Sequence, residues 1–121
     1  MNMTEKYAST PKLESPPKST IEEILDGNSE IKFLSDSLDT RDTFGEGKWQ
    51  GRAYLYEVKM RDGKVWNMTV WFPAAFHPEP YKKKPEMQIT ILTNQGQGEM
   101  PLSNNQDTLN KVYNAIRQQT G

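Results

Sequence analysis

The residues best suited to chemistry lie between positions 71 and 84. Trp71 is followed by Phe76, His77, Tyr81 and the run Lys82, Lys83 and Lys84. An imidazole near lysines and a phenol is a minimal set for proton transfer at neutral pH, and a metal-independent ribonuclease could use one histidine with such neighbours. His77 is the sole histidine, so no multi-histidine metal site can form. Its spacing from Tyr81 and the lysines does not define an acid paired with a base. Between Phe76 and Pro78 it reads as a loop residue packed on its neighbours.

The lysine run beside Tyr81 has a second use, as a contact for phosphate or for an acidic partner. It serves equally well as a solvated stretch that keeps a proline-rich crossing soluble. Trp71 also has two readings. On an open sheet face a tryptophan anchors an interface. Beneath the 73–86 loop or an N-terminal helix it belongs to the core.

Other chemistries are excluded by what the chain lacks. Without cysteine there is no disulfide, thiolate nucleophile or thiolate metal site. No calcium loop, His-Glu-x-x-His helix or zinc ligand set occurs, and the Gly-x-Gly triplets at 45–47 and 96–98 open neither a dinucleotide fingerprint nor a phosphate loop. No nucleophile elbow is found. No cofactor is expected. Fifteen Lys and Arg face sixteen Asp and Glu, for a net charge of −1. Nucleic-acid binders usually carry a basic excess, so a protein partner is favoured and nucleic acid is the lesser alternative. No run approaches the roughly 20 apolar residues that span a bilayer, and Met1 to Tyr7 has no signal-like apolar run. A cytoplasmic location without membrane contact is expected.

The elements that must position these residues follow from periodicity. Residues 1–18, rich in proline and serine, predict a disordered tail, and 19–121 a single α+β domain. A short helix begins at Ser19 or Thr20, with Glu22 or Glu23 closing a capping box and Gly27 ending it. Ile31, Phe33, Leu34 and Leu38 form an apolar patch of ambiguous period, and 35–48 reads as a loop. Alternation over 53–60 and 64–72 around Arg61-Asp62-Gly63 predicts a β-hairpin. Of two registers, only a three-residue loop sets Val58 opposite Trp66, Tyr56 opposite Met68 and Tyr54 opposite Val70, which unites the apolar faces. Gly63 then takes the left-handed region, with a G1 bulge. Trp66 faces the core and Trp71 the other side.

Prolines at 73, 78, 80 and 85 rule out regular structure between, and 87–92 is a third strand. Residues 94–98 read as a flexible link. Leu109, Val112, Tyr113 and Ile116 mark a C-terminal helix, capped by Ser103 or Asn104. The expected architecture is a sheet of about three antiparallel strands packed by two helices.

Residues 49–93 resemble the central meander of ubiquitin-conjugating-enzyme-like and RWD domains. The resemblance is carried by Trp49-Gln50, Gly63, Val70-Trp71-Phe72-Pro73, Phe76, Pro78 and Lys84-Pro85-Glu86-Met87-Gln88-Ile89. The chain has no cysteine for a thioester, no His-Pro-Asn segment, and a longer loop before Pro85. The resemblance therefore implies a non-catalytic relative that binds proteins. Size and the lack of a catalytic constellation agree: the expectation is a protein-binding or regulatory module, of accessory, inhibitor or immunity type, meeting its partner through Trp71, Phe76, His77, Tyr81, Lys82, Lys83 and Lys84. Nucleic-acid binding by the same loop and a small metal-independent nuclease are the alternatives.

Overall fold

The computed structural model describes residues 18–43, 47–75, 84–92 and 98–120. Helix α1 (Lys18–Leu25) is followed by strands β1 (Glu30–Thr43), β2 (Gly47–Lys59), β3 (Val65–Pro73), β4 (Gln88–Leu92) and β5 (Glu99–Pro101), then helix α2 (Gln106–Thr120). The strands form one antiparallel sheet in the order β1-β2-β3-β4-β5. The α+β class stands, with five strands where about three were expected. Residues 1–17 of the expected tail 1–18, and 94–97 of the expected link 94–98, lie outside the described residues, while Lys18 already opens α1.

The largest correction is β1. The segment read as a loop from 35 onward is an edge strand, paired with β2 from Glu30↔Lys59 to Thr43↔Gly47. Its alternation was hidden by a bulge, since Phe33 faces Tyr56 and the next pair is Ser35↔Leu55. The extra residue, Leu34, reverses the parity of everything after it. An edge strand is also wet along one side, so Ser, Asp and Thr sit there without penalty.

The β2–β3 hairpin has the expected register: Val58↔Trp66, Tyr56↔Met68 and Tyr54↔Val70. The Gly63 N–H donates to the Met60 carbonyl at 2.9 Å, and the Met60 N–H to the Lys64 carbonyl at 2.7 Å. Gly63 has φ +91°, in the region expected of it. The Glu23 carboxylate accepts the Arg61 N–H at 3.0 Å, tying α1 to this turn.

Helix ends follow side-chain chemistry. Past α1, Gly27 at φ +75° lets the Asn28 N–H reach the Glu23 carbonyl at 2.9 Å and its own N–H reach that of Ile24 at 3.2 Å. These two bonds satisfy carbonyls that would otherwise be orphaned. The cap of α2 is Asn105, whose Oδ1 accepts the Thr108 N–H at 3.2 Å. Ser103, expected as a cap, instead accepts the Asn105 N–H at 3.0 Å and sets up the turn before the helix.

Both helices cover one face of the sheet. Ile24 of α1 and Leu109, Val112 and Ile116 of α2 join Tyr56, Val58, Trp66, Met68, Val70, Ile89 and Ile91 in one buried cluster. Tyr56 lies within it, and burial raises its phenol pKa above the ordinary 10.0, with a further upward push from Tyr113 and Tyr54. The protonated phenol is thus favoured in the folded chain. That contribution is complete below pH about 10 and is lost as pH climbs through the raised value, because only the unfolded chain ionises freely in between.

Two outcomes are expected. Gly63→Val should lower the free energy of unfolding by about 2 kcal/mol and Gly63→Asn by about 1 kcal/mol or less, because a branched side chain resists positive φ most. Equal losses in denaturant titrations would reject this turn. In thermal melts between pH 9 and 11, Tyr56→Phe should show a shallower fall in Tm than the wild type. Parallel pH curves would remove Tyr56 as the titrating group.

Candidate partner-binding surface

On the face turned away from the helices, β2 presents Trp49, Gly51 and Ala53, and β3 presents Trp71 opposite Ala53. Gly51 is required here by space. A Cβ at position 51 would stand 2.5 Å from the Trp71 ring and would also collide with the Phe72 carbonyl oxygen. The indole lies where a side chain would otherwise be. Its Nε1–H donates to the Asp39 carbonyl at 3.0 Å, and the Trp49 Nε1–H donates to the Ala74 carbonyl at 3.0 Å. Both tryptophans thereby satisfy their one polar atom while buried.

This arrangement depends on the sheet being curled. Four strand spacings laid flat would separate β1 from β5 by about 19 Å, far beyond side-chain reach. Yet the Arg41 Nη2 of β1 is 3.3 Å from the Glu99 Oε1 of β5, and the Arg41 Nε is 2.7 Å from the Asp39 Oδ2. Glu99 also accepts the Thr90 hydroxyl. The distal part of the β1–β2 hairpin therefore bends across the back of the sheet and covers Trp71.

Trp71, expected among the partner-binding residues, accordingly has no exposed surface. It faces away from the main core as expected, and the hairpin arm packs on its indole through Gly51 and the Asp39 carbonyl. Most of the 73–86 loop, expected as a possible cover, lies outside the described residues. Phe76, His77, Tyr81, Lys82 and Lys83 lie outside the described residues. Lys84 is exposed, on the wall of an open groove that Asp42, Thr43 and Glu86 also line.

Where the chain approaches position 76, a second cleft opens, with a volume of about 490 Å³. Its apolar walls are Leu38, Phe72, Pro73 and Ala74, and Gln50 and Arg52 supply polar edges. Leu38 is 78% exposed. Phe72 is held from behind by edge-on contacts to Tyr54 and Tyr113, at centroid distances of 6.0 and 5.0 Å. Two charged groups at the rim are engaged within the chain: Arg52 Nη1 with Asp36 Oδ2 at 2.6 Å, and Asp39 with Arg41. The free surface of this cleft is chiefly apolar. Sequence reasoning missed it because Leu38 stood in a segment read as loop, and the bulge put Leu38 five residues from Phe33 on the same face, a spacing of neither helix nor strand.

Among the described residues no group of three or more His, Cys, Asp or Glu could hold a metal, and no helix is long and apolar enough to cross a membrane. Compared with protein-family models, with curated proteins and with solved structures, the chain matches none. The likeness of residues 49–93 to ubiquitin-conjugating-enzyme-like domains rests on the sequence pattern.

Gly51→Ala should be among the most damaging single methyl additions in the chain, lowering stability by at least about 2 kcal/mol, because backbone and a buried ring must both move. Its tryptophan emission should shift to longer wavelength as Trp71 loses its cover. Unchanged stability and emission would contradict the seat described for the indole.

Proposed function

We propose that this chain is a non-catalytic protein-binding module of regulatory or accessory type. The observation that carries the reading is the cleft of Leu38, Phe72, Pro73 and Ala74, at whose edge the chain enters the aromatic and basic stretch 76–84. Small-molecule sites usually enclose most of their ligand and aim several polar groups at it. This cleft is open, and Asp39 and Arg52 at its rim are already paired. An exposed apolar surface with a polar border suits the side chains of another protein. The sequence stretch Phe76, His77, Tyr81 and Lys82 to Lys84 is proposed as a further part of the interface, the lysines steering toward an acidic partner. The resemblance to ubiquitin-conjugating-enzyme-like domains, in a chain without cysteine, supports the same reading.

The test is affinity capture of partners from nuclease-treated extract, with wild type compared against Gln50→Trp and against Lys82, Lys83 and Lys84 all changed to Glu. Gln50 is exposed at the cleft, so a tryptophan there fills the cleft without entering the core. A single protein held by wild type and reduced at least tenfold by Gln50→Trp is the expected result. Equal retention by Gln50→Trp removes the cleft from the interface. Nucleic acid recovered in its place, with affinity falling steeply as salt rises, would replace the reading with phosphate recognition.

A further inference from the structure

We infer that the chain pairs with a second copy of itself along β1, antiparallel, about a two-fold axis at Asp36. Within the described residues β1 has one strand neighbour, β2, and on its other edge residues 32–38 form an unbroken exposed run. Phe33 and Leu38 on that edge are 47% and 78% exposed. Long open edges with exposed apolar groups are templates for another strand.

The choice of partner comes from the register. Before the bulge, Ile31 and Phe33 share the helix-covered face with Val58 and Tyr56, while Glu30 and Lys32 share the back face with Lys59 and Glu57. After it, Asp36, Leu38 and Thr40 share the helix-covered face, opposite Tyr54, Arg52 and Gln50. Ser35, Ser37, Asp39 and Arg41 share the back, opposite Leu55, Ala53, Gly51 and Trp49. Directly opposed residues of an antiparallel pair lie on the same face. Because of the bulge, a residue before Leu34 can meet its like face after Leu34 only in certain registers.

Centred on Phe33, the pairing sets Ile31 against Asp36 and joins no opposite charges. Centred on Ser35, it opposes Glu30 to Asp39 and Phe33 to Asp36. Centred on Ser37, it opposes Lys32 to Arg41. Centred on Asp36, it sets Phe33 against Leu38, Lys32 against Asp39, Glu30 against Arg41 and Ser35 against Ser37, each twice by symmetry. Of these four, only the Asp36 register joins apolar to apolar and opposite charges to each other.

The electrostatics within one copy point the same way. Arg41 serves two carboxylates, Asp39 and Glu99, so that cluster carries one negative charge in excess. Lys32 has no ion pair among the described residues and gains one with the second copy's Asp39; Glu30 arrives opposite Arg41 with it, so the net charge of the cluster is unchanged. Asp36 would meet its own copy on the axis, but each Asp36 is bound by its own Arg52 at 2.6 Å. Charges and bulges on an edge ordinarily prevent strand addition. Here they set like charges against each other in the Ser35 and Ser37 registers and opposite charges in the Asp36 register. The pairing uses no residue of 76–84 and stands apart from the heterologous reading, although Leu38 borders both surfaces.

Because the chain has no cysteine, introduced thiols report the register without background. On the full-length chain, sedimentation over a concentration series should show mass rising from monomer to dimer, with Leu38→Lys weakening association at least tenfold. Mild oxidation should convert Asp36→Cys to a covalent dimer and leave Lys32→Cys monomeric, its two thiols being about 20 Å apart along the ladder. A mixture of Ser35→Cys and Ser37→Cys chains keeps the Asp36–Arg52 pair and should cross-link as the mixed dimer in preference to either like pair. A constant monomer mass, association unaffected by Leu38→Lys, or equal cross-linking at positions 32 and 36 would overturn the pairing.

Discussion

Trp71 sets the terms for the rest of this structure. Two helices cover one face of the sheet, which buries Trp66, Met68 and Val70, and the opposite face would ordinarily stay wet. A tryptophan placed on that opposite face must be covered or carry a large exposed apolar area. The chain covers it with itself. The β1–β2 hairpin runs well past the ends of its neighbours, bends over the back of the sheet, and sets the Asp39 carbonyl above the indole N–H. The bend requires a strand without a side chain where ring and backbone meet, and Gly51 occupies that position. It also brings the two ends of the strand order together, which allows a β1 arginine to bind a β5 glutamate.

The polar contacts that β1 makes are modest one by one. Arg52–Asp36 is half exposed on both sides, and such pairs contribute at most about 1 kcal/mol. Arg41 is more enclosed and receives two carboxylates. Its part is to hold a geometry whose driving force is the burial of two indoles. Removing a buried tryptophan costs about 3–5 kcal/mol, several times the worth of a surface pair. The ion pairs fix where the arm lies, and the aromatic burial is why it lies there at all.

How much of this was legible in the sequence follows from how each segment is buried. The β2–β3 hairpin could be read to its register because one side of it is core and the other is not, and only one pairing unites the apolar sides. Helix α2 was legible for the same reason: Leu109, Val112 and Ile116 recur at helical spacing. Strand β1 was not, because an edge strand has little to bury and a single bulge at Leu34 scrambles the alternation that remains. The side of the sheet to which Trp71 points followed from alternation alone. Its cover did not, since that depends on Asp39 reaching the indole from 32 residues away, which no local pattern encodes. The cleft at Leu38 was missed with β1, while the stretch from Phe76 to Lys83 was noticed for its composition and lies outside the described residues.

The curl also ties together the two surfaces proposed for binding. Leu38 is one wall of the apolar cleft and, in the Asp36-centred pairing, the residue opposite Phe33 of a second copy. A second copy seated on β1 would therefore cover one wall of the cleft. An occupant of the cleft that leans on Leu38 would in turn compete for the strand edge. By mass action, whichever partner is bound raises the apparent dissociation constant of the other. Self-pairing would then do more than protect an exposed edge: it would keep the apolar cleft partly closed until a heterologous partner is present in sufficient concentration to displace the second copy.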